Sequence, residues 1–145
     1  MTNPFDIAVA SPALDVRQDL AAILLKQGFE AYCAATAKEC CALLENSNIG
    51  LVFCDWNFPD GDYRNILVAA NSRGASRNVK VVLISHVLKP PDYDDAKRSG
   101  AFAIVQYPCN PTNVEWMIIL AKRERRSELI RATNRGQKVA SSHTA

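Results

Sequence analysis

Asp55 is the residue that this sequence places best for chemistry. It ends the apolar run 51–54 and precedes the segment 56–61, which contains Pro59 and Gly61. A short apolar run that is closed by an acid and a Pro/Gly turn predicts a buried strand ending in a surface loop. Such strand ends build the sites of open α/β sheets. A carboxylate in this position can bind a divalent cation or attack a phosphoryl group.

The rest of the chain alternates short apolar runs with segments of helical periodicity, which indicate strands and helices respectively. Gly28 and Gly100 are natural helix ends, and Thr36 with Glu39 forms a capping-box pattern. The predicted strands cover residues 6–10, 29–35, 49–54, 79–85 and 103–106. The predicted helices cover residues 14–27, 36–46, 63–72, 91–99 and a longer segment from residue 112.

Five strands that alternate with five helices predict an α/β fold, a doubly wound five-stranded parallel sheet in a flavodoxin-like three-layer sandwich. Right-handed crossovers bring the loops after the first, third, fourth and fifth strands to one end of the sheet. Ser85 ends the fourth strand, so it is expected at the same end as Asp55. His86 follows at the mouth of its loop, where a lone histidine is expected to be solvated, with a catalytic role as the alternative.

Charge is distributed unevenly along the 145 residues. The segment 122–145 holds seven Lys/Arg against two Glu, a charge of +5, so the total of +2 leaves −3 for residues 1–121. The sequence therefore predicts a domain at 1–121 and a basic helix extension at 122–145. Beyond about Arg135 the composition turns to Gly, Ser, Thr and Lys, which predicts disorder.

Composition argues against several classes of protein. No apolar run approaches the ~20 residues of a membrane-spanning helix, and the first residues lack the features of a signal peptide. The basic run 122–126 has no interleaved aromatics, so a solvated helix with Glu–Arg pairs is expected rather than nucleic-acid binding. The cysteines form no C-x-x-C pair, so reduced thiols and a cytoplasmic location are expected; they are Cys33, Cys40, Cys41, Cys54 and Cys109.

Three segments resemble the receiver domain of bacterial two-component response regulators. Residues 51–61 are similar to its apolar strand, phosphoacceptor aspartate and the proline four residues later. Residues 81–85 resemble the strand that ends in its Ser/Thr, and residues 100–108 resemble its Gly-Ala opening and terminal Lys-Pro pair. Element order and spacing agree over about residues 5–121. The resemblance implies that Asp55 holds the phosphoacceptor position.

The same resemblance shows a departure at the metal site. The family holds Mg²⁺ with two adjacent acids at the end of the first strand, where this chain has Ser11 and Pro12. Asp55 is then the only carboxylate that the motif provides, with the backbone carbonyl of Asn57 as a further ligand. Mg²⁺ prefers an octahedral oxygen cage with one or two carboxylates. It is therefore expected to bind weakly at Asp55, and no cofactor is expected.

Two further departures concern the response to phosphate. Tyr107 stands at the position of the family's lysine, and Ile104 replaces its aromatic switch residue. The resemblance implies a cis bond between Tyr107 and Pro108 that aims residue 107 into the site. Tyr107 is expected to fill the space that the missing groups leave. With Trp56 and Phe58 it would form a more apolar rim suited to protein contact, or these aromatics would only pack locally.

The sequence allows more than one role for several of the remaining polar residues. Asp55 is expected to be an inert carboxylate tied to backbone N–H groups, with a place in a binding surface or phosphorylation as alternatives. Ser85 is expected to bond to the backbone at its strand end. Asp92, Asp94 and Asp95 indicate a solvated helix start that complements the helix dipole, rather than a metal cluster.

The predicted function is an atypical receiver module, not an enzyme, that acts in signal transduction through protein contacts. The expected partner is a signalling protein or a histidine kinase, or a second copy bound through the fourth helix, fifth strand and fifth helix, near the switch positions Ile104 and His86. Membrane binding is not expected. One alternative is a working phosphoacceptor at Asp55. Another is a nucleotide-binding enzyme, against which stands the lack of a Gly-rich loop at residues 11–14.

Overall fold

The structure is a computed structural model, and it describes residues 5–46, 48–72 and 79–144. Its elements follow in the order β1 (Asp6–Ala10), α1 (Leu14–Lys26), β2 (Ala31–Ala34), α2 (Ala37–Asn46), β3 (Ile49–Cys54), β4 (Asn57–Phe58), β5 (Gly61–Asp62), α3 (Tyr63–Asn71), β6 (Lys80–Ser85), α4 (Tyr93–Arg98), β7 (Ala103–Gln106) and α5 (Pro111–Thr144).

The main sheet has five parallel strands in the order β2-β1-β3-β6-β7, which confirms the predicted doubly wound fold. In its register Ala10 pairs with Cys54, and Cys54 pairs with Leu83. The residues that follow these strands therefore meet at one edge of the sheet. A two-stranded antiparallel hairpin, β4–β5, follows β3; it was not predicted, because it is built from only four residues of the Pro/Gly turn.

Helices cover both faces of the sheet, which explains why the strands are apolar throughout rather than alternating. One face packs against α2 and α3 through strand residues that include Val52, Cys54, Val81 and Leu83. The other face packs against α1 and α5 through Ile7, Val9, Leu51, Phe53, Val82 and Ile84. Successive residues of a strand point to opposite faces, so each of the three central strands contributes to both cores.

Several helix boundaries differ from the prediction by a residue or two. α1 ends at Lys26, and the chain then turns at Gly28, whose φ of +89° is a conformation that side chains other than glycine rarely adopt. α2 has the predicted hydrogen bond from the Glu39 N–H to the Thr36 hydroxyl, at 3.1 Å. The Glu39 carboxylate, however, accepts from the Thr36 hydroxyl rather than from the Thr36 backbone. α4 is shorter than predicted and starts at Tyr93.

α5 is much longer than the part of it that covers the sheet, and it continues as helix to Thr144. This differs from the disorder expected beyond Arg135. Lys80 at the start of β6 donates to Glu128 at 2.7 Å, with side chains only 12% and 15% exposed. Arg125 lies against the ring of Phe5 and close to Gly50. The contact is tight, because a Cβ added to Gly50 would overlap the Phe5 ring and come within 2.8 Å of the Arg125 Nη1. These contacts hold the helix beyond the end of its apolar face.

None of the helices in the described ranges has the length and apolar character that would be needed to cross a membrane.

Candidate functional site

Asp55 lies directly after β3, at the edge where the central strands end. Its backbone N–H donates to the Ala10 carbonyl at 2.8 Å, which continues the β1–β3 ladder by one residue. The residue is 8% exposed, so its carboxylate is largely shielded from water. A buried carboxylate needs hydrogen-bond donors to offset the loss of hydration.

Three groups surround the Asp55 carboxylate. The Ser11 hydroxyl donates to Oδ2 at 3.0 Å, and the Trp56 backbone N–H donates to Oδ1 at 2.9 Å. The third group is the His86 imidazole, whose Nε2 lies 3.3 Å from Oδ2. Asp55 is therefore held by neighbouring groups, one of them a backbone N–H as expected, and both of its oxygens are in contact.

Ser11 and Pro12 occupy the first strand's end in different ways. Ser11 is fully buried; its hydroxyl accepts from the Ala13 N–H at 3.1 Å while it donates to Asp55. Its carbonyl accepts from Arg17 Nη1 at 2.7 Å. Pro12 is exposed and carries no side-chain donor or acceptor. A single hydroxyl therefore takes the place of the two carboxylates that the resemblance implied.

His86 is exposed to solvent, as expected, but its contact with Asp55 was not predicted. Its side chain is 44% exposed but contacts the Asp55 carboxylate. The register explains the contact: Cys54 of β3 pairs with Leu83 of β6, so the residues that follow these two neighbouring strands lie at the same edge of the sheet. The sequence shows that His86 directly follows a strand, but only the strand order of the sheet places that strand next to β3.

Ser85 bonds to its own loop, as expected. Its hydroxyl donates to the Val87 carbonyl at 2.5 Å and accepts from the Val87 N–H at 3.3 Å. The residue is 2% exposed. These bonds close the turn after β6, and this turn carries His86 over Asp55.

Tyr107 points away from Asp55, so the expectation that it fills the site is wrong. The Tyr107–Pro108 bond is cis, as implied, but the Tyr107 hydroxyl donates to the Asp19 carboxylate on α1. This hydrogen bond raises the pKa of Tyr107 to about 12. Only the ring approaches the site, with its centroid 5.2 Å from that of His86. His86, rather than Tyr107, covers the carboxylate.

The other aromatics pack locally, which was the second of the two expectations for them. Trp56 is 8% and Phe58 is 9% exposed, and both belong to the core between the sheet, α2 and α3. The Trp56 and Tyr63 rings meet edge to face with centroids 5.0 Å apart. They do not form an apolar rim around Asp55.

The acidic residues at the start of α4 are largely exposed, as expected, but Asp95 and Asp92 also contact α3, which was not predicted. The Tyr63 hydroxyl donates to Asp95 at 2.5 Å, which is the main cause of a lowered pKa of Asp95. Burial, with the same hydrogen bond, raises the pKa of Tyr63 to about 12. Arg64 lies 3.2 Å from Asp95 and 4.0 Å from Asp92. This cluster ties α3 to α4, and no local sequence pattern indicated it.

The two other predicted positions lie at the margin of the site. Asn57 is exposed in β4, and Ile104 is half-buried on the edge strand β7, packed against the core on the α2–α3 side. Neither has a described contact with Asp55. The structure thus brings together Asp55, Ser11 and His86, and it leaves Asn57 and Ile104 apart from them.

The donors around Asp55 do not fit Mg²⁺. This ion requires near-octahedral oxygen ligation and is usually bound by one or two carboxylates and several waters. The groups described here are one carboxylate, one hydroxyl and one imidazole, and Oδ2 already contacts the last two. Within the described ranges, no group of three or more His, Cys, Asp or Glu side chains is arranged to hold a metal ion.

Comparison with other sequences identifies no family: no protein-family model matches the chain, and no curated protein sequence matches it.

Solved structures, in contrast, match over nearly the whole chain. A CheY-like response regulator receiver domain protein from Methanospirillum hungatei JF-1 is 23% identical, with a TM-score of 0.75 over 88% of this chain and 99% of that chain. The signal receiver domain of an HD domain-containing protein from Pseudomonas fluorescens Pf-5 is 17% identical, with a TM-score of 0.79 over 90% and 96%.

A third match is the signal receiver domain of a signal transduction histidine kinase from Syntrophus aciditrophicus. It is 17% identical, with a TM-score of 0.69 over 80% of this chain and 88% of that chain. Structural similarity at such low sequence identity shows a shared backbone fold, and it does not show that the site residues have the same chemistry. Strand order, element order and these superpositions together show that the chain has the fold of a response-regulator receiver domain.

Proposed function

We propose that this chain is an atypical receiver module that acts in two-component signalling by binding partner proteins, without enzymatic turnover and without Mg²⁺-dependent phosphorylation of Asp55. The observation that carries the proposal is the surroundings of the carboxylate. Its Oδ2 contacts Ser11 and His86, its Oδ1 accepts from the Trp56 N–H, and no second carboxylate is among these contacts.

An incoming phosphoryl group brings strong negative charge to the Asp55 carboxylate. Catalysis of phosphoryl transfer depends on positioning and on cations that stabilise the transferred group. Tyr107 cannot supply the charge of a lysine, and its hydroxyl is engaged by Asp19. The loss of one preorganised donor typically costs about 3 kcal/mol of transition-state stabilisation. Without a metal site as well, labelling should be slower by orders of magnitude.

Partner contact is assigned to the surface of α4, β7 and α5, next to the site. The loop after β6 exposes Val87 and Leu88 by 55% and 90%, and Tyr93 on α4 is 41% exposed. Exposed apolar side chains grouped beside a polar site are typical of interaction surfaces. The proposed partners are a signalling protein, a histidine kinase or a second copy of the chain.

The test is incubation with acetyl phosphate and Mg²⁺, followed by intact-mass measurement over time. The wild-type chain is expected to show no Mg²⁺-dependent mass increase above that of Asp55→Asn. The triple variant Ser11→Asp/Pro12→Asp/Tyr107→Lys supplies the missing acids and cation. It is expected to gain labelling by about a hundredfold or more, at Asp55.

Rapid, Mg²⁺-dependent labelling of the wild-type chain that disappears in Asp55→Asn would contradict the proposal. It would support the alternative, a receiver that takes phosphate on Asp55 from a histidine kinase. Circular dichroism of the triple variant controls for folding, and the wild-type measurement decides the question even if that variant does not fold.

A further inference from the structure

The outward face of α5 carries an apolar and basic stripe whose residues are not among those that support the proposed function. The stripe consists of Trp116, Ile119, Arg123, Arg126 and Ile130, whose spacings of three and four residues place them on one side of a helix. It lies opposite the buried face of the helix, which contains Val114, Ile118 and Ala121. This stripe is therefore directed to solvent over about four turns.

Its apolar members are more exposed than is usual for residues of their size. Trp116 is 52%, Ile119 is 39% and Ile130 is 51% exposed. Trp is enriched at the energetic centres of protein interfaces. Three such side chains on one helix face are expected to be covered when the protein acts.

A groove lies beside the stripe, between α5 and the loop that follows α1. It holds a cavity of about 310 Å³ that is lined by Gln27, Phe29, Glu115, Ile118 and Ile119. Its walls are mostly apolar, and it is large enough for one large apolar side chain. Ile119 belongs to both the stripe and the cavity lining. A partner could therefore insert one anchoring side chain into the cavity while the rest of its helix lies along the stripe.

The charge of the stripe indicates the partner. Arg123 and Arg126 are exposed, and neither has an ion pair with any residue that the structure describes. They stand one and two turns beyond the cavity, in a segment, 122–145, whose charge is +5. Among the five residues that line the cavity, Glu115 is the acid, so the partner should be apolar or basic there and acidic farther along.

A second copy fits this surface less well. Parallel pairing of two stripes would place each arginine against its own counterpart, which is destabilising. Five carboxylates in the acidic body of a second copy are already engaged, because they accept hydrogen bonds or contact a cation within the chain: Asp19, Asp55, Asp60, Asp62 and Asp95.

We propose that this face of α5 binds an acidic amphipathic helix of another protein, with a large apolar side chain in the Phe29–Ile119 cavity and carboxylates on Arg123 and Arg126. This interaction goes beyond the proposed function and does not depend on the phosphorylation state of Asp55. Helix-in-groove recognition of this kind uses anchors at helical spacing, and the charge pairs select the partner and its orientation.

The test uses a fluorescently labelled synthetic helix of about 20 residues, with Leu at one helical face and Glu on its flanks, and the full-length chain. Fluorescence anisotropy is expected to show saturable binding that weakens with salt. Arg123→Glu/Arg126→Glu should weaken binding at least tenfold, and Ile119→Ala at least fivefold. Lys38→Glu on α2, an exposed position outside both proposed surfaces, should bind as the wild type does.

Charge exchange sharpens the test. A second peptide with Lys in place of Glu should bind Arg123→Glu/Arg126→Glu more tightly than it binds the wild type. In a Trp56→Phe background, emission from Trp116 should shift to the blue as the acidic peptide binds, since the indole becomes buried.

Three results would overturn the proposal. The first is equal binding of a scrambled peptide, or binding that the arginine changes do not affect. The second is a concentration-dependent dimer of the chain alone that Arg123→Glu/Arg126→Glu dissociates, since a second copy would then be the occupant. The third is absence of peptide binding together with binding to phosphatidylglycerol vesicles, which would assign the stripe to a lipid surface.

Discussion

At the scale of single residues, the chemistry of the Asp55 site depends on the uncharged and weakly basic groups that stand where the resemblance implies charged ones. Ser11 and His86 surround a carboxylate that the resemblance would have surrounded with two acids and a lysine. A hydroxyl satisfies one lone pair of Asp55 but adds no negative charge to attract a cation. The presence of Ser11 instead of an acid therefore weakens metal binding and, at the same time, gives the Asp55 carboxylate a hydrogen-bond donor.

Ser11→Ala should destabilise the protein by about 1–3 kcal/mol, because it removes a donor from a largely buried carboxylate. Urea denaturation followed by circular dichroism measures this change. Ser72→Ala is the matched control: among the residues that the structure describes, the exposed Ser72 hydroxyl bonds to the nearby Ala69 carbonyl, and its effect should stay within about 0.5 kcal/mol. Equal effects of the two changes would show that Ser11 does not stabilise Asp55.

Asp60 stabilises a helix to which it does not belong. Its carboxylate accepts from the backbone N–H groups of Ala37 at 2.8 Å and Lys38 at 3.0 Å, at the start of α2. These hydrogen bonds lower the pKa of Asp60 below its usual 3.8. The folded state thus binds this proton less readily than the unfolded chain does.

It follows that the contribution of Asp60 to stability is present above a pH of about 3.8 and is lost as the pH falls through the lowered pKa. The free energy of unfolding of Asp60→Ala should lie below that of the wild type at neutral pH, and the difference should shrink on acidification. Denaturation curves at a series of pH values measure it. A difference that stays constant down to the acid-unfolding region would refute the role of the ionised carboxylate.

At the scale of elements, α5 consists of two segments that different interactions stabilise. Its first three turns are held by burial against the sheet, through residues such as Val114 and Ile118. The next two turns are held by polar contacts, among them the ion pair of Lys80 with Glu128. Because ion pairs contribute most when they are shielded from water, this pair should matter more than those farther along the helix.

Glu128→Gln should cost about 1.5–3 kcal/mol, the usual worth of a hydrogen bond to a charged group that is mostly buried. It should also raise amide hydrogen exchange in residues 122–130. Glu124→Gln is the control of the same chemistry, because its pair with Arg131 spans 3.6 Å and is 46% and 60% exposed. That change should cost well under 1 kcal/mol. Similar exchange in both variants would mean that Lys80 does not anchor α5.

At the scale of the whole molecule, the Asp55 site and the anchor of α5 lie at opposite ends of one strand, β6. β6 has Lys80 at one end, where α5 is anchored, and Ser85 at the other, beside Asp55. Six residues of strand span roughly 20 Å. The continuous core between these ends makes the sheet a rigid spacer, so a partner on the α5 extension need not approach Asp55.

This core should be the main source of stability. Leu51→Ala removes a fully buried side chain at the centre of the sheet and should cost about 2–5 kcal/mol. Leu25→Ala makes the same chemical change on α1, where the side chain is 68% exposed, and should cost about 0.5 kcal/mol or less. Denaturant unfolding of both variants measures the difference. A loss of less than 1 kcal/mol for Leu51→Ala would place the core elsewhere.

The sequence by itself determined the sheet, its helices and the position of Asp55, because apolar periodicity and glycine stops are local properties of the chain. It also indicated that Ser85 bonds to its own loop. The tertiary structure alone decided the contact of His86 with Asp55, the turning of Tyr107 toward Asp19, and the clamp of Tyr63, Arg64 and Asp95. Each of these joins groups from separate elements, so it depends on strand register and helix placement, which no local pattern encodes.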